Sequence, residues 1–143
     1  MRLALFDTSI YVSALRQGNQ AVLTARRLEA EGLLWLSSVV LAELYAGTHD
    51  PHRGVIERLE RDFGQADRIL VPNLRDWTDA GKVLSQLATR YHYEKIGQGR
   101  LVKDALIATS AGRKGITVLT TNERDFRRLA EFQPFRWQVA DVP

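Results

Sequence analysis

The chain has 143 residues, of which 45% are hydrophobic and 26% are charged. This composition is too apolar for a disordered chain, and the length suits one hydrophobic core, so we expect a single domain over residues 1–143. The net charge is only +3, and the absence of cysteine excludes disulfides and thiolate metal sites. No apolar run approaches the length of a membrane span or has the pattern of a signal peptide, so we expect a cytoplasmic protein with no membrane partner.

Short apolar runs alternate with longer segments of helical pattern along the chain. The expected elements, in chain order, are strand 3–6, helix 21–31, strand 33–36, helix 39–46, helix 51–63, strand 68–71, helix 76–93, helix 102–112, strand 116–120 and strand 137–140. This alternation predicts an α/β fold, a three-layer sandwich with a parallel, mostly five-stranded sheet flanked by helices. Ligands of such sheets gather beyond the carboxyl ends of the strands.

Several residues set the expected helix ends and faces. Gly32 ends the first predicted helix, and Ser37 or Ser38 is the natural N-cap of the second. The helix at 76–93 carries an apolar stripe that we expect to pack against the core, made of Trp77, Ala80, Leu84, Leu87 and Tyr91.

Four acidic residues follow strands or lie in apolar helices. Asp7 comes directly after the first strand and Asp125 lies in the loop after strand 116–120, although a cap or turn role would also explain each of them. Glu43 lies in an apolar helix, where a lone carboxylate needs either a metal ion or an arginine as a partner. Asp104 begins another apolar helix, where the helix dipole alone would favour a negative charge.

Acids brought to one edge of a sheet repel one another and therefore require a compensating cation. Carboxylate oxygens, with no cysteine and no histidine near these motifs, favour Mg²⁺ or Mn²⁺ over Zn²⁺. We expect His49, His52 and His92 at surface or loop positions. Basic side chains outnumber acidic ones by 9 to 5 in residues 95–143, so the positive charge is concentrated in the last third.

Four sequence blocks together resemble the PIN-domain ribonucleases, and more narrowly the VapC toxins of type II toxin–antitoxin pairs. The blocks are DTS at 7–9, SVVLAELYAG at 38–47, KDALIA at 103–108 and TTNERDF at 120–126. They occur in the order and spacing of the family and span essentially the whole chain. The resemblance implies a metal-dependent endoribonuclease that hydrolyses RNA phosphodiester bonds and leaves 5′-phosphate and 3′-hydroxyl ends.

The resemblance also implies roles for individual residues. Carried over position by position, it gives a catalytic and Mg²⁺- or Mn²⁺-holding set made of Asp7, Glu43, Asp104 and Asp125. The last of these matches a more variable position of the family, where Asn122 is a second candidate ligand of the metal or of a water. Thr8 and Thr121 match small hydroxyl residues near the metal, and Thr8 serves equally well as a helix N-terminal residue.

Three partners follow from the resemblance: an RNA substrate, a small VapB-like antitoxin whose tail enters the acidic cleft, and a second copy of the chain in a homodimer. Basic residues that bracket the last two acidic blocks suit a phosphate-binding rim, with a solvated face or antitoxin contacts as the alternative; they are Lys95, Arg100, Lys103, Arg113, Lys114, Arg124, Arg127 and Arg128. Two apolar stripes are candidate dimer faces, with core packing as the alternative; they are Trp77, Leu84 and Tyr91, and Val55, Ile56 and Leu59.

Other protein classes also place an aspartate after the first strand. A haloacid-dehalogenase fold requires a second aspartate where Ser9 stands, and a receiver domain requires acids before the strand, where Arg2 stands. A structure-specific DNA nuclease requires an arch and additional acids for which this chain has no room. The remaining alternative is a non-catalytic RNA-binding or scaffolding domain of the same fold, since fold does not fix function.

Overall fold

The fold is given by a computed structural model that describes residues 2–17, 28–47, 50–92 and 100–140. Its strands are β1 (Ala4–Phe6), β2 (Leu34–Ser37), β3 (Ile69–Leu70), β4 (Thr117–Thr120) and β5 (Trp137–Val139). They form one sheet in the order β3-β2-β1-β4-β5, and every neighbouring pair is parallel. The predicted α/β fold with a five-stranded parallel sheet is therefore confirmed.

The described helices are α1 (Thr8–Gln17), α2 (Ser38–Gly47), α3 (Asp50–Gln65), α4 (Leu74–Tyr91), α5 (Arg100–Lys114) and α6 (Glu123–Ala130). Residues 28–30 are also helical, and most of the helix predicted at 21–31 lies outside the described residues. Helices α1 and α6 were not predicted from the sequence. The α1 segment, TSIYVSALRQ, is rich in serine and β-branched residues, which have modest helix propensity, and α6 has only eight residues.

The central strand β1 positions the rest of the fold. Leu5 and Phe6 are buried, and the register pairs Ala4 with Leu34 of β2 on one side and with Thr117 of β4 on the other. Burying a leucine or phenylalanine side chain contributes roughly 1.5–3 kcal/mol, so these two side chains help to hold the centre of the sheet in place. The residue that follows β1 is therefore fixed beside the ends of β2 and β4.

Local signals at helix ends agree with the sequence analysis. Ser37 Oγ accepts a hydrogen bond from the backbone N–H of Val39 at 3.2 Å, so Ser37 caps α2. Gly32 has φ of +70° and ends the helical segment before β2. None of the helices within the described ranges is both long and apolar enough to cross a membrane.

The start of α4 corrects the expected apolar stripe. Ala80, Leu84 and Leu87 are buried as predicted, but Trp77 is 55% exposed and Asp76 beside it is 1% exposed. Asp76 is buried because Arg113 of α5 reaches it, with Nε 3.0 Å from Oδ2. The expectation that Trp77 packs in the core was therefore wrong, since an ion pair between two helices takes the buried position.

Candidate active site

Asp7 lies where the central strands end. Its backbone N–H donates to the carbonyl of Leu119 at 2.8 Å, which ties the end of β1 to β4. The side chain is 4% exposed, and Oδ2 accepts hydrogen bonds from Thr120 Oγ1 at 2.8 Å and from Ser9 Oγ at 3.1 Å. Asp7 is thus a buried carboxylate held by two hydroxyl groups, one from each neighbouring segment.

Glu43 approaches the same place from α2. The helix turns Val40 and Leu44 into the core and leaves Ala42 exposed, so Glu43 is half-buried rather than enclosed by apolar residues as its sequence context predicts. Its Oε1 accepts a hydrogen bond from Thr8 Oγ1 at 2.8 Å. Thr8 is the first residue of α1, and its hydroxyl connects the two helices at the site.

Asp104 and Asn122 complete the acidic group. Asp104 is 2% exposed and is the fifth residue of α5, beyond the first turn in which the helix dipole acts most strongly. Asn122 Nδ2 donates to Asp125 Oδ2 at 3.0 Å and to Asp104 Oδ2 at 3.4 Å. The Asn122 amide therefore lies between two carboxylates, and its Oδ1 also caps α6 by accepting from the backbone N–H of Asp125.

These residues surround a cleft of about 370 Å³ beyond the carboxyl ends of β1 and β4. Its lining residues are Asp7, Thr8, Ser9, Val12, Ser13, Arg16, Glu43, Asp104 and Asn122. Three of the four predicted acids therefore share one cleft with two of the predicted supporting residues. Asp125 is half-buried and lies next to Asn122 without lining the cleft. Thr121 is exposed, and its backbone N–H donates to Ser9 Oγ at 3.3 Å.

Three further residues of the site, Ser9, Arg16 and Thr120, were not predicted from the sequence. Thr120 is fully buried, and its hydroxyl also accepts from the backbone N–H of Asn122 at 2.9 Å. Ser9, Val12, Ser13 and Arg16 have the spacing of one helical face, so recognising α1 would have found this wall of the cleft.

The donor chemistry of the cleft fits a hard divalent cation, because carboxylate oxygens are the ligands that Mg²⁺ and Mn²⁺ prefer. Within residues 2–17, 28–47, 50–92 and 100–140, no three acidic or histidine side chains converge closely enough to form a ready metal centre. Instead Asp7 and Glu43 accept hydrogen bonds from hydroxyl groups, and Asp104 accepts one from an amide. His92 is exposed and His52 half-buried, and neither lines the cleft.

A second groove of about 750 Å³ adjoins the cleft through Asn122, which lines both. Its other lining residues are Tyr91, Thr121, Glu123, Arg124, Arg127, Arg128 and Glu131. The Arg128 guanidinium carbon lies 4.2 Å from the centre of the Tyr91 ring, and the Tyr91 hydroxyl donates to Glu131 at 2.6 Å. That hydrogen bond to a carboxylate raises the pKa of Tyr91 above its ordinary value.

The predicted basic rim is divided by the structure. Arg124, Arg127 and Arg128 line the groove, and Lys103 is half-buried immediately before Asp104. Arg113 and Lys114 were placed wrongly, because they lie at the far end of α5, about 14 Å along the helix axis from Asp104. Lys95 and the side chain of Arg100 lie outside the described residues.

Comparisons with known proteins agree with this architecture. The family model for the PIN domain matches residues 4–132. Similar solved structures include DNA-bound VapBC from Salmonella typhimurium, with 20% identity, a TM-score of 0.69 and coverage of 97% of this chain and 98% of that one. VapBC2 from Rickettsia felis bound to a promoter DNA fragment has 22% identity, a TM-score of 0.68 and coverage of 97% and 99%.

A third similar structure is FitAcB from Neisseria gonorrhoeae, with 24% identity, a TM-score of 0.67 and coverage of 94% of this chain and 96% of that one. No curated protein sequence matches significantly. The solved structures establish a shared fold, and the family model covers most of the chain. With its parallel sheet and its acids gathered at the carboxyl ends of the central strands, the chain belongs to the PIN-domain family.

Proposed function

We propose that this protein is a metal-dependent endoribonuclease and the toxin component of a VapBC-type toxin–antitoxin pair, formed by a single PIN domain over residues 1–143 and acting in the cytoplasm. One observation carries the proposal. Asp7 directly follows β1, and Glu43 and Asp104 lie on α2 and α5. These residues are distant in the sequence, yet they line one cleft at the place where parallel sheets bind ligands.

The three acids are proposed to hold Mg²⁺ or Mn²⁺ as the cofactor. When bound, such an ion lowers the pKa of a water molecule and neutralises the charge that develops on a phosphodiester during hydrolysis. The hydroxyl groups of Thr120 and Ser9 orient Asp7, and the Thr8 hydroxyl orients Glu43. The chain thereby presents carboxylate oxygens in fixed directions, as an electrostatic catalyst requires.

The fourth position is assigned to Asn122 and Asp125 together. Asn122 faces the cleft, while Asp125 stands behind it and binds the same amide group. We propose that Asp125 acts mainly by orienting Asn122 toward Asp104, and that Thr121 contributes through its backbone hydrogen bond to Ser9. With these separate roles, Asn122 and Asp125 together fill the fourth position of the site, whereas Asp7, Glu43 and Asp104 each fill one position alone.

The partners of the proposed toxin are RNA, a VapB-like antitoxin and a second copy of the chain. The VapBC and FitAcB names of the structures with this fold support the antitoxin. For the homodimer, burial leaves both candidate stripes open, because Trp77 is exposed and Leu84 buried in the α4 stripe, while Val55 is exposed and Ile56 buried in the α3 stripe. If this chain arrests growth when it is expressed, co-expression of its VapB-like antitoxin should relieve the arrest.

Cleavage of RNA by the purified protein tests the proposed function. We expect cleavage with Mg²⁺ or Mn²⁺, none with EDTA, products with 5′-phosphate and 3′-hydroxyl ends, and loss of cleavage in a folded Asp7→Asn variant. Asp79→Asn, on the exposed side of α4, is the control for an unrelated loss of a carboxylate. RNA binding that is unchanged by Asp7→Asn, with no metal-dependent products, would instead support a non-catalytic RNA-binding domain.

A further inference from the structure

Two helix faces meet at Asn122. On α1, Ser9, Val12, Ser13 and Arg16 follow the spacing of a single helical face and form one wall of the acidic cleft. On α6 and its C-cap Glu131, the residues Arg124, Arg127, Arg128 and Glu131 follow the same spacing and line the adjoining groove. Asn122 lines both cavities, so the cleft and the groove adjoin at this residue; together they are called the depression, and each side of it carries an arginine-bearing helix.

The arginines of this depression differ in their partners. Arg127 forms an ion pair with Glu123 of the same helix, and Arg128 stacks on Tyr91. Arg16 and Arg124 are exposed, and within the described ranges neither guanidinium lies at ion-pair distance from a carboxylate. Among the residues that the structure describes, neither positive charge is therefore offset by an ion pair.

We propose that Arg16 and Arg124 bind the phosphates on either side of the scissile bond, so that a single RNA strand crosses the cleft from α1 to α6. This inference rests on the proposed nuclease function and assigns two substrate-positioning residues to it. An acidic cleft repels a polyanion, and two flanking unpaired guanidinium groups supply the attraction that the cleft lacks. Arg16 lies outside the basic C-terminal third, so charge distribution along the sequence does not reveal it.

The size of the cleft favours a single strand over a duplex. A volume of about 370 Å³ is that of a small-molecule site, so the cleft itself has room for about one sugar-phosphate segment. The adjoining groove of about 750 Å³ has room for the nucleotides that follow. The Tyr91 ring is already covered by Arg128, so we assign the groove to phosphate contacts and not to stacking of a base on this ring.

Binding of RNA in EDTA tests the proposal apart from catalysis. The probe is a fluorescein-labelled single-stranded RNA of mixed sequence, and the affinity is measured by anisotropy between about 50 and 200 mM salt. Loss of one phosphate contact should make the slope of log affinity against log salt concentration shallower by about 0.7. The fourfold rise in salt should therefore weaken RNA binding by Arg16→Gln or by Arg124→Gln about 2.6-fold less than it weakens binding by the unsubstituted protein. For the double variant, the same rise in salt should weaken RNA binding about sevenfold less than it does for the unsubstituted protein.

The matched control is Arg136→Gln, which removes the same charge from an exposed arginine just before β5, at the amino ends of the strands and so away from the cleft at their carboxyl ends. The proposal is overturned if Arg16→Gln and Arg124→Gln behave like Arg136→Gln, or if the unsubstituted protein does not bind the RNA. If both variants bind like the control while the unsubstituted protein cleaves RNA, the nuclease proposal stands without this strand path. If the arginine dependence is found but no cleavage occurs, the nuclease proposal alone fails.

Discussion

Thr120 connects two parts of the candidate site through one hydroxyl group. It donates to Asp7 and accepts from the backbone N–H of Asn122, and it is fully buried. Hydroxyl groups in such positions are difficult to recognise in a sequence, because their partners are set by the pairing of β1 with β4. The acids were easier to predict, since a carboxylate in an apolar segment needs an explanation wherever the chain folds.

We expect Thr120→Val to lower the free energy of unfolding by about 1–3 kcal/mol, because the isosteric side chain leaves buried polar groups of Asp7 and Asn122 with fewer partners. Thr120→Ser keeps the hydroxyl and should cost less. Urea denaturation of the three proteins in EDTA measures the difference. Equal stability of the valine and serine variants would contradict the role given to the hydroxyl.

Among the elements, the strands were predicted to within one or two residues, and the three central strands β1, β2 and β4 have the mostly buried apolar runs that make such strands recognisable. The helices were less predictable where packing overrides local pattern. At α4 the sequence indicates that Trp77 is buried, but the Asp76–Arg113 ion pair occupies the contact with α5. Asp76 also shares a capping box with Asn73, so one carboxylate both begins α4 and joins it to its neighbour.

Arg113→Ala should therefore destabilise the protein by about 3 kcal/mol or more, because it leaves the buried Asp76 carboxylate without its cation. The matched control is Arg75→Ala, which breaks the exposed Arg75–Asp79 pair on the same helix and should cost no more than about 0.5 kcal/mol. Chemical denaturation at neutral pH gives both values. A cost for Arg113→Ala as small as that of the control would show that the pair does not stabilise the packing of α4 on α5.

At the scale of the whole molecule, the order β3-β2-β1-β4-β5 explains why acids separated by up to 97 positions, from Asp7 to Asp104, line one cleft. The parallel alternation predicts this convergence, because the carboxyl ends of neighbouring parallel strands share an edge. Which of the basic residues lie near the cleft and which lie far from it was not predictable in the same way. It depends on which end of α5 faces the cleft, and that places Arg113 and Lys114 far from Asp104.

The central claim is that the acidic cleft cleaves RNA with a bound divalent cation. The most direct test compares the RNA cleavage rate of Asp104→Asn in Mg²⁺ with that of Asp76→Asn, since both aspartates are almost fully buried and only Asp104 lines the cleft. With rates corrected for the folded fraction, we expect Asp104→Asn to lose about a hundredfold or more and Asp76→Asn to retain the rate of the unsubstituted protein. Cleavage by Asp104→Asn at the unsubstituted rate would contradict the account.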